Sequence, residues 1–128
     1  LLLEKVPYRS NGRIVLIGDH TKVPKDGRNI PGITTLHQES ETASKPSFFR
    51  GHEWGCIAML SSARSKFFAT PLIAEIHNDS EVEGSRITRI VEMAGKVLKV
   101  MDAEVYLVLD AFFSVGSTFR KAKEWDDK

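Results

Sequence analysis

The chain has 128 residues, 41% of them hydrophobic and 27% charged, with a formal net charge of +1; this is enough for one globular domain that buries about two-thirds of its unfolded surface. Its single cysteine, Cys56, excludes an intramolecular disulfide and a thiolate zinc cluster, and the opening Leu1-Leu2-Leu3 runs at once into Glu4 and Lys5, short of the ~20 apolar residues of a membrane span. These features predict a reducing, cytoplasmic setting without membrane association, and a Cys56 that packs as a small apolar residue.

In chain order, the turn signal Asn11-Gly12 leads into a first strand over Arg13 to Gly18. Residues 22–50 follow as a long polar stretch with Pro24, Gly27, Pro31, Gly32 and Pro46, showing neither the helical nor the strand period; it is expected as a long inserted loop, and loops of that length in compact domains are usually functional. Trp54 to Leu60 and Phe67 to Ile76 read as two strands joined by Ser61-Ser62-Ala63-Arg64-Ser65, an antiparallel hairpin. Pro71 puts the second of these at a sheet edge or a bulge, because proline donates nothing to a ladder. Trp54, Phe67 and Phe68, lying inside strand-like runs, are expected in the core.

From Ile87 the apolar residues Ile87, Ile90, Val91, Ala94, Val97, Leu98 and Met101 recur at the offsets of one helix face. Gly95 in that helix predicts a close approach to the sheet. A strand over Val105 to Leu109 comes next, then Ser114 as the N-cap of a second helix with Val115, Phe119 and Ala122 on one face. The order strand, strand, strand, helix, strand, helix favours a right-handed crossover that pairs the first and fourth strands in parallel. The expected fold is therefore α/β and ribonuclease H-like: one domain over residues 1–128, with a mixed sheet of order 3-2-1-4, an antiparallel three-strand meander and helices packed on it.

Two aspartates stand out because each closes an apolar strand run: Ile14-Val15-Leu16-Ile17-Gly18-Asp19 and Val105-Tyr106-Leu107-Val108-Leu109-Asp110. Ligand crevices in open α/β sheets form at the carboxyl ends of strands. If the two strands are parallel neighbours, both acids reach one pocket and can share metal ions. Taken singly, an aspartate after a strand is as readily a turn former or a helix cap. His37, His52 and His77 have neither the paired spacing nor the cysteine companions of a zinc site and are not assigned as ligands. Asp19-His20-Thr21 lacks the second acid of aspartyl-phosphate phosphatases, a meander disfavours a phosphorelay receiver, and neither GxxxxGK[ST] nor GxGxxG is present, so no nucleotide loop is implied.

Gly18-Asp19-His20-Thr21-Lys22-Val23, Lys25-Asp26-Gly27-Arg28 with Pro31-Gly32, Leu36-His37-Gln38-Glu39-Ser40-Glu41 and Ser44-Lys45-Pro46 resemble the first catalytic region of DDE-type insertion-sequence transposases, and Val108-Leu109-Asp110-Ala111-Phe112-Phe113-Ser114 resembles the strand bearing that family's second catalytic aspartate. The likeness runs from about Tyr8 to Trp125 and is most specific between Lys22 and Arg50. The resemblance implies a catalytic core that cuts and rejoins DNA at transposon ends with Mg²⁺ or Mn²⁺, with Asp19 and Asp110 as catalytic residues and metal ligands. It also implies DNA (transposon ends and target) as partner, and self-association of the full-length protein.

Two metals about 4 Å apart stabilise the charge that develops on a phosphodiester under attack, and hard cations favour carboxylate oxygens. The family's third acid has no counterpart here, since Glu124, Asp126 and Asp127 come too early after the last strand. The chain is accordingly expected to be a fragment truncated before that acid, and inactive alone. His20, Lys22, Lys25, Arg28, Lys45 and Arg50 are the expected contacts to the phosphate backbone. The alternative function is a non-catalytic DNA- or protein-binding module derived from a transposase.

Overall fold

A computed structural model of the chain describes residues 6–27, 29–37, 47–77 and 86–125. In chain order these form β1 (Val6–Pro7), β2 (Arg9–Ser10), β3 (Arg13–Pro24), β4 (Thr34–His37), β5 (Phe48–Ala63), β6 (Lys66–His77), α1 (Arg86–Val100), β7 (Val105–Leu109) and α2 (Gly116–Ala122), with a 3-10 turn over Ala111–Phe113 and another over Lys123–Trp125. Two tight turns set the long strands. Asn11 and Gly12 (φ 50° and 78°) join β2 to β3, and Arg64 and Ser65 (φ 48° and 62°) join β5 to β6. Positive φ at both central residues matches the right-handed twist of the flanking strands.

Strand β3 is bonded on both sides. It runs antiparallel to β5 from Leu16↔Met59 to Pro24↔Gly51 and parallel to β7 from Ile14↔Val105 to Gly18↔Leu109. β5 also carries β6 along most of its length, β4 at its start and β1 at its end, all antiparallel; β2 pairs antiparallel with the start of β3. Helix α1 covers one face. Ile90, Val91, Met93, Ala94, Val97 and Leu98 bury against Ile14, Leu16 and Ile57, and Phe113 closes the end of this core. Because strand side chains alternate between faces, Val15, Ile17 and Asp19 of β3 and Val108 of β7 point to the side away from α1.

The expected α/β, ribonuclease H-like class is corrected by these pairings. Strands hold 52% of the described residues and helices 27%, in a seven-stranded and predominantly antiparallel sheet; five of its six pairings are antiparallel and one, β3 with β7, is parallel. Much of the unforeseen strand content lies in residues 22–50. β3 continues through Pro24, β4 occupies Thr34–His37 and β5 begins at Phe48. Prolines and glycines between these short pieces mask the strand period, and long-range pairing to β5 supplies the order that local propensity does not.

Other expectations also change in detail. Phe67 is 62% exposed, on the edge strand β6, with its ring edge-on to Tyr8; a strand position near a hairpin tip has no layer to bury it. Ser114 ends the 3-10 turn rather than capping α2, whose N-cap is Val115 without a side-chain bond. Pro71 on β6 pairs with Ala58 beside the register shift at Ile57/Ala58, and β6 bonds β5 and no other described strand, the edge and bulge setting that tolerates proline. Gly95 faces Trp125 rather than the sheet: a methyl there would stand 2.8 Å from Trp125 Cε2. Alanine at 95 adds about 1 kcal/mol of helix propensity, whereas overpacking costs about 1–3 kcal/mol. Gly95→Ala is therefore expected to lower the unfolding free energy, by up to about 2 kcal/mol, and to red-shift Trp125 emission in a Trp54→Phe background. Raised stability with unchanged emission would show that the ring does not pack there.

Candidate functional site

The parallel ladder between β3 and β7 ends at Gly18↔Leu109, and the next residue on each strand is an aspartate. Asp19 follows Ile17 onto the side away from α1, while Asp110 (φ −63°, ψ 156°) leaves the ladder and lines a cavity with Leu107, Leu109 and Phe113. Paired strands lie about 4.8 Å apart, and the two aspartates are the first residues beyond the last such pair. Asp19 is not at a strand tip, as β3 continues with β5 for five more pairs, Asp19 itself opposing Cys56. It sits where β7 stops, and the end of that ladder opens the space beside it.

Both carboxylates are exposed, and each has a local partner. Asp19, its side chain 69% exposed, accepts the His20 backbone N–H at 2.8 Å, and its Oδ1 is 3.8 Å from His20 Nδ1. Asp110 caps the 3-10 turn, its Oδ1 3.4 Å from the Phe112 N–H and its carbonyl accepting the Phe113 N–H at 2.9 Å. Aspartate oxygens are hard donors of the kind magnesium and manganese select. Among the described residues, no group of three or more His, Cys, Asp or Glu side chains is set to hold a metal ion. Asp19 and Asp110 alone are fewer donors than such a group contains.

The basic residues divide. Lys25 and Arg50 are both exposed and tied together through the Lys25 N–H, which donates to the Arg50 carbonyl at 3.0 Å. Lys22 reaches across to donate to the His37 carbonyl at 3.0 Å, linking β3 to β4. Arg28 and Lys45 lie outside the described residues. His20 does not join this surface. By strand alternation it turns to the α1 side, where its side chain is 12% exposed. His52 and His37 are engaged locally, His52 Nε2 lying 2.8 Å from the Pro31 carbonyl and the His37 ring meeting Phe48 edge-on.

Two residues that the sequence pattern does not assign to a site, Glu53 and His77, are cross-strand partners on β5 and β6, buried to 1% and 2% exposure beneath α1. Glu53 Oε1 lies 3.1 Å from His20 Nε2, and His77 Nε2 lies 3.3 Å from Met93 Sδ. Gly55, opposite His20, leaves the space that the His77 ring fills. The available signal is a charged residue in the run His52-Glu53-Trp54-Gly55-Cys56-Ile57, at the same strand parity as the buried Ile57. The interaction with Glu53 raises the His20 pKa above its ordinary value, with burial opposing it. Burial, then the positive charge of Arg89, lowers that of His77, with His20 acting in the same direction and Glu53 and Glu75 against it.

Compared with known protein families, curated proteins and solved structures, the chain finds no match. Among the described residues, no helix is long and apolar enough to cross a membrane.

His77 links this cluster to pH. Its folded pKa lies below the unfolded value of about 6.5. The unfolded state therefore binds the proton first, and the contribution of neutral His77 is complete above about pH 6.5 and lost as the pH falls from there towards the folded pKa. The urea midpoint is expected to drop between pH 7 and pH 5, and His77→Phe, which keeps an apolar ring but cannot titrate, should flatten that limb. An unchanged pH slope in the variant would remove His77 as the cause.

Proposed function

We propose that this chain is catalytic-core material of a DDE-type DNA transposase, in which Asp19 and Asp110 present carboxylate oxygens to divalent cation and scissile phosphodiester at a transposon end. The observation that carries this reading is the register: the last pair of the parallel ladder, Gly18↔Leu109, is followed on each strand by an exposed aspartate. The resemblance of Gly18-Asp19-His20-Thr21-Lys22-Val23 and Val108-Leu109-Asp110-Ala111-Phe112-Phe113 to the family's two aspartate regions adds independent support.

Mg²⁺ or Mn²⁺, held by Asp19 and Asp110, would supply charge stabilisation at the attacked phosphate. The chain's own residues orient and grip the substrate. Lys25 and Arg50, exposed side by side, neutralise backbone phosphates without reading sequence, and Lys22, held against the His37 carbonyl, keeps β4 against the end of β3. With two acids rather than three, the described residues would bind cation weakly and support slow cleavage or none. A second reading, a DNA-binding module without chemistry, is favoured by the use of the Asp110 carboxylate as a turn cap.

Two measurements separate these readings. In a Mn²⁺ titration followed by the decrease of the free-ion paramagnetic resonance signal, Asp19→Ala and Asp110→Ala are each expected to weaken binding about tenfold or more; equal binding by parent and variants would remove the cation site. In DNA binding measured across a salt series, Lys25→Gln with Arg50→Gln should reduce the slope of log K against log salt by about 0.9 for each phosphate that is no longer neutralised. An unchanged slope would exclude that surface. DNA affinity that stands while cation binding fails would select the non-catalytic module.

A further inference from the structure

On the α1 side of the sheet, the His20 imidazole is enclosed by groups from two other parts of the chain. Its Nε2 lies 3.1 Å from the buried Glu53 carboxylate on β5. Its ring stacks on Phe112 at a centroid separation of 5.2 Å and an interplanar angle of 28°, and meets Phe113 edge-on at 5.3 Å. Both phenylalanines belong to the turn that Asp110 caps, and Phe113 is buried in the core. The backbone N–H of His20 is held by the Asp19 carboxylate. A single side chain thus adjoins the strand of one aspartate and the turn of the other.

We propose that Glu53 and His20 form a positioning pair for the two aspartates: the Glu53 carboxylate fixes the imidazole, and the imidazole, wedged against Phe112 and Phe113, fixes the turn that holds Asp110 beside Asp19. The proposal rests on the reading of those aspartates as one site. The Glu53 side chain lies on the α1 face of the sheet, buried and on the opposite face from Asp19, so it acts through His20 and touches neither cation nor DNA. A carboxylate behind a histidine sets ring orientation in the same way behind metal-ligating imidazoles. A flat ring with one polar anchor and two aromatic neighbours has little rotational freedom left. Strand β7 ends at Leu109, so the position of Asp110 depends on how the turn packs rather than on further ladder bonds.

The test uses the chain with Glu53→Leu and Glu53→Gln, reading Mn²⁺ affinity, hydrogen exchange of the Phe113 amide and thermal stability. A purely structural Glu53 would lower stability and protection throughout the sheet. A positioning Glu53 gives another pattern: Glu53→Leu binds Mn²⁺ at least tenfold more weakly and exchanges the Phe113 amide at least tenfold faster relative to the amides of the rest of the sheet, whatever its melting temperature. Glu53→Gln, which keeps an oxygen facing His20 Nε2, falls between the two. Parental affinity and exchange in Glu53→Leu would overturn the proposal, as would Glu53→Gln impaired as fully as Glu53→Leu. Should Glu53→Leu not fold, His20→Phe keeps a ring against Phe112 and Phe113 while removing the polar anchor; it is expected to show the same local loosening, and parental values there overturn the pairing. If Asp19→Ala leaves Mn²⁺ affinity unchanged, the two-acid reading fails, and Phe113 exchange alone decides whether Glu53 and His20 hold the turn.

Discussion

The arrangement depends on one strand serving two ladders of unequal length. β3 bonds β5 as far as Pro24 but β7 only as far as Gly18. Backbone N–H and C=O groups demand partners wherever water is excluded, so the longer ladder keeps β3 straight and rigid past the point where the shorter one stops. At that point one side of β3 is fully bonded and the other is open. Asp19 stands at the boundary, with a stiff backbone and an exposed side chain. Asp110 stands where β7 turns away, its carboxylate on the first bond of the turn. A side chain carried on a strand is more precisely placed than one carried on a loop, and here Asp19 has strand support and Asp110 has turn support.

The two-residue period of β3 divides its side chains between the two faces of the sheet. Odd positions Val15, Ile17 and Asp19 face away from α1, and even positions Ile14, Leu16, Gly18 and His20 face it. Adjacent residues Asp19 and His20 therefore enter different environments, one aqueous and one nearly dry. On the dry side the core is apolar from Ile14 to Ile57 and Ile90 and turns polar towards the end where His20, Glu53 and His77 lie. The opposite pKa directions of the two histidines follow from this placement: His20 gains a carboxylate neighbour that outweighs its partial burial, whereas burial dominates at His77.

The residue pattern disclosed those elements whose period is set locally. The helix from Ile87 was legible because seven apolar residues fall on one face, and the strand runs before Asp19 and Asp110 because each is an unbroken β-branched and leucine-rich stretch. The class of the fold was not legible. β4, the end of β3 and the start of β5 lie in a segment rich in proline and glycine, and their order comes from pairing with β5 rather than from their own composition. Of the candidate site, the two acids could be read because each ends a run; Glu53 could not, because a lone charge beside histidine and tryptophan reads as a strand end until the pairing shows β5 starting five residues earlier, at Phe48. His77 lacks a metal-ligand spacing, a criterion blind to a histidine that serves the interior.

Glu53 is the costly residue of this design. Removing a carboxylate from water costs several kcal/mol even after relaxation, and replacing a whole buried pair by well-packed apolar residues is often neutral or stabilising. Its surroundings meet part of that cost: His20 at 3.1 Å, Lys22 directly across the ladder and His77 on the other flank. The Lys22 ammonium is shared with the His37 carbonyl, and the His77 pKa is pushed down, towards the neutral ring that brings no positive charge. His20 stands at hydrogen-bond distance, and the same imidazole packs against the Asp110 turn. A buried acid whose histidine partner also braces that turn is better explained by what it positions than by what it stabilises, and the position concerned is the open end of the β3–β7 ladder.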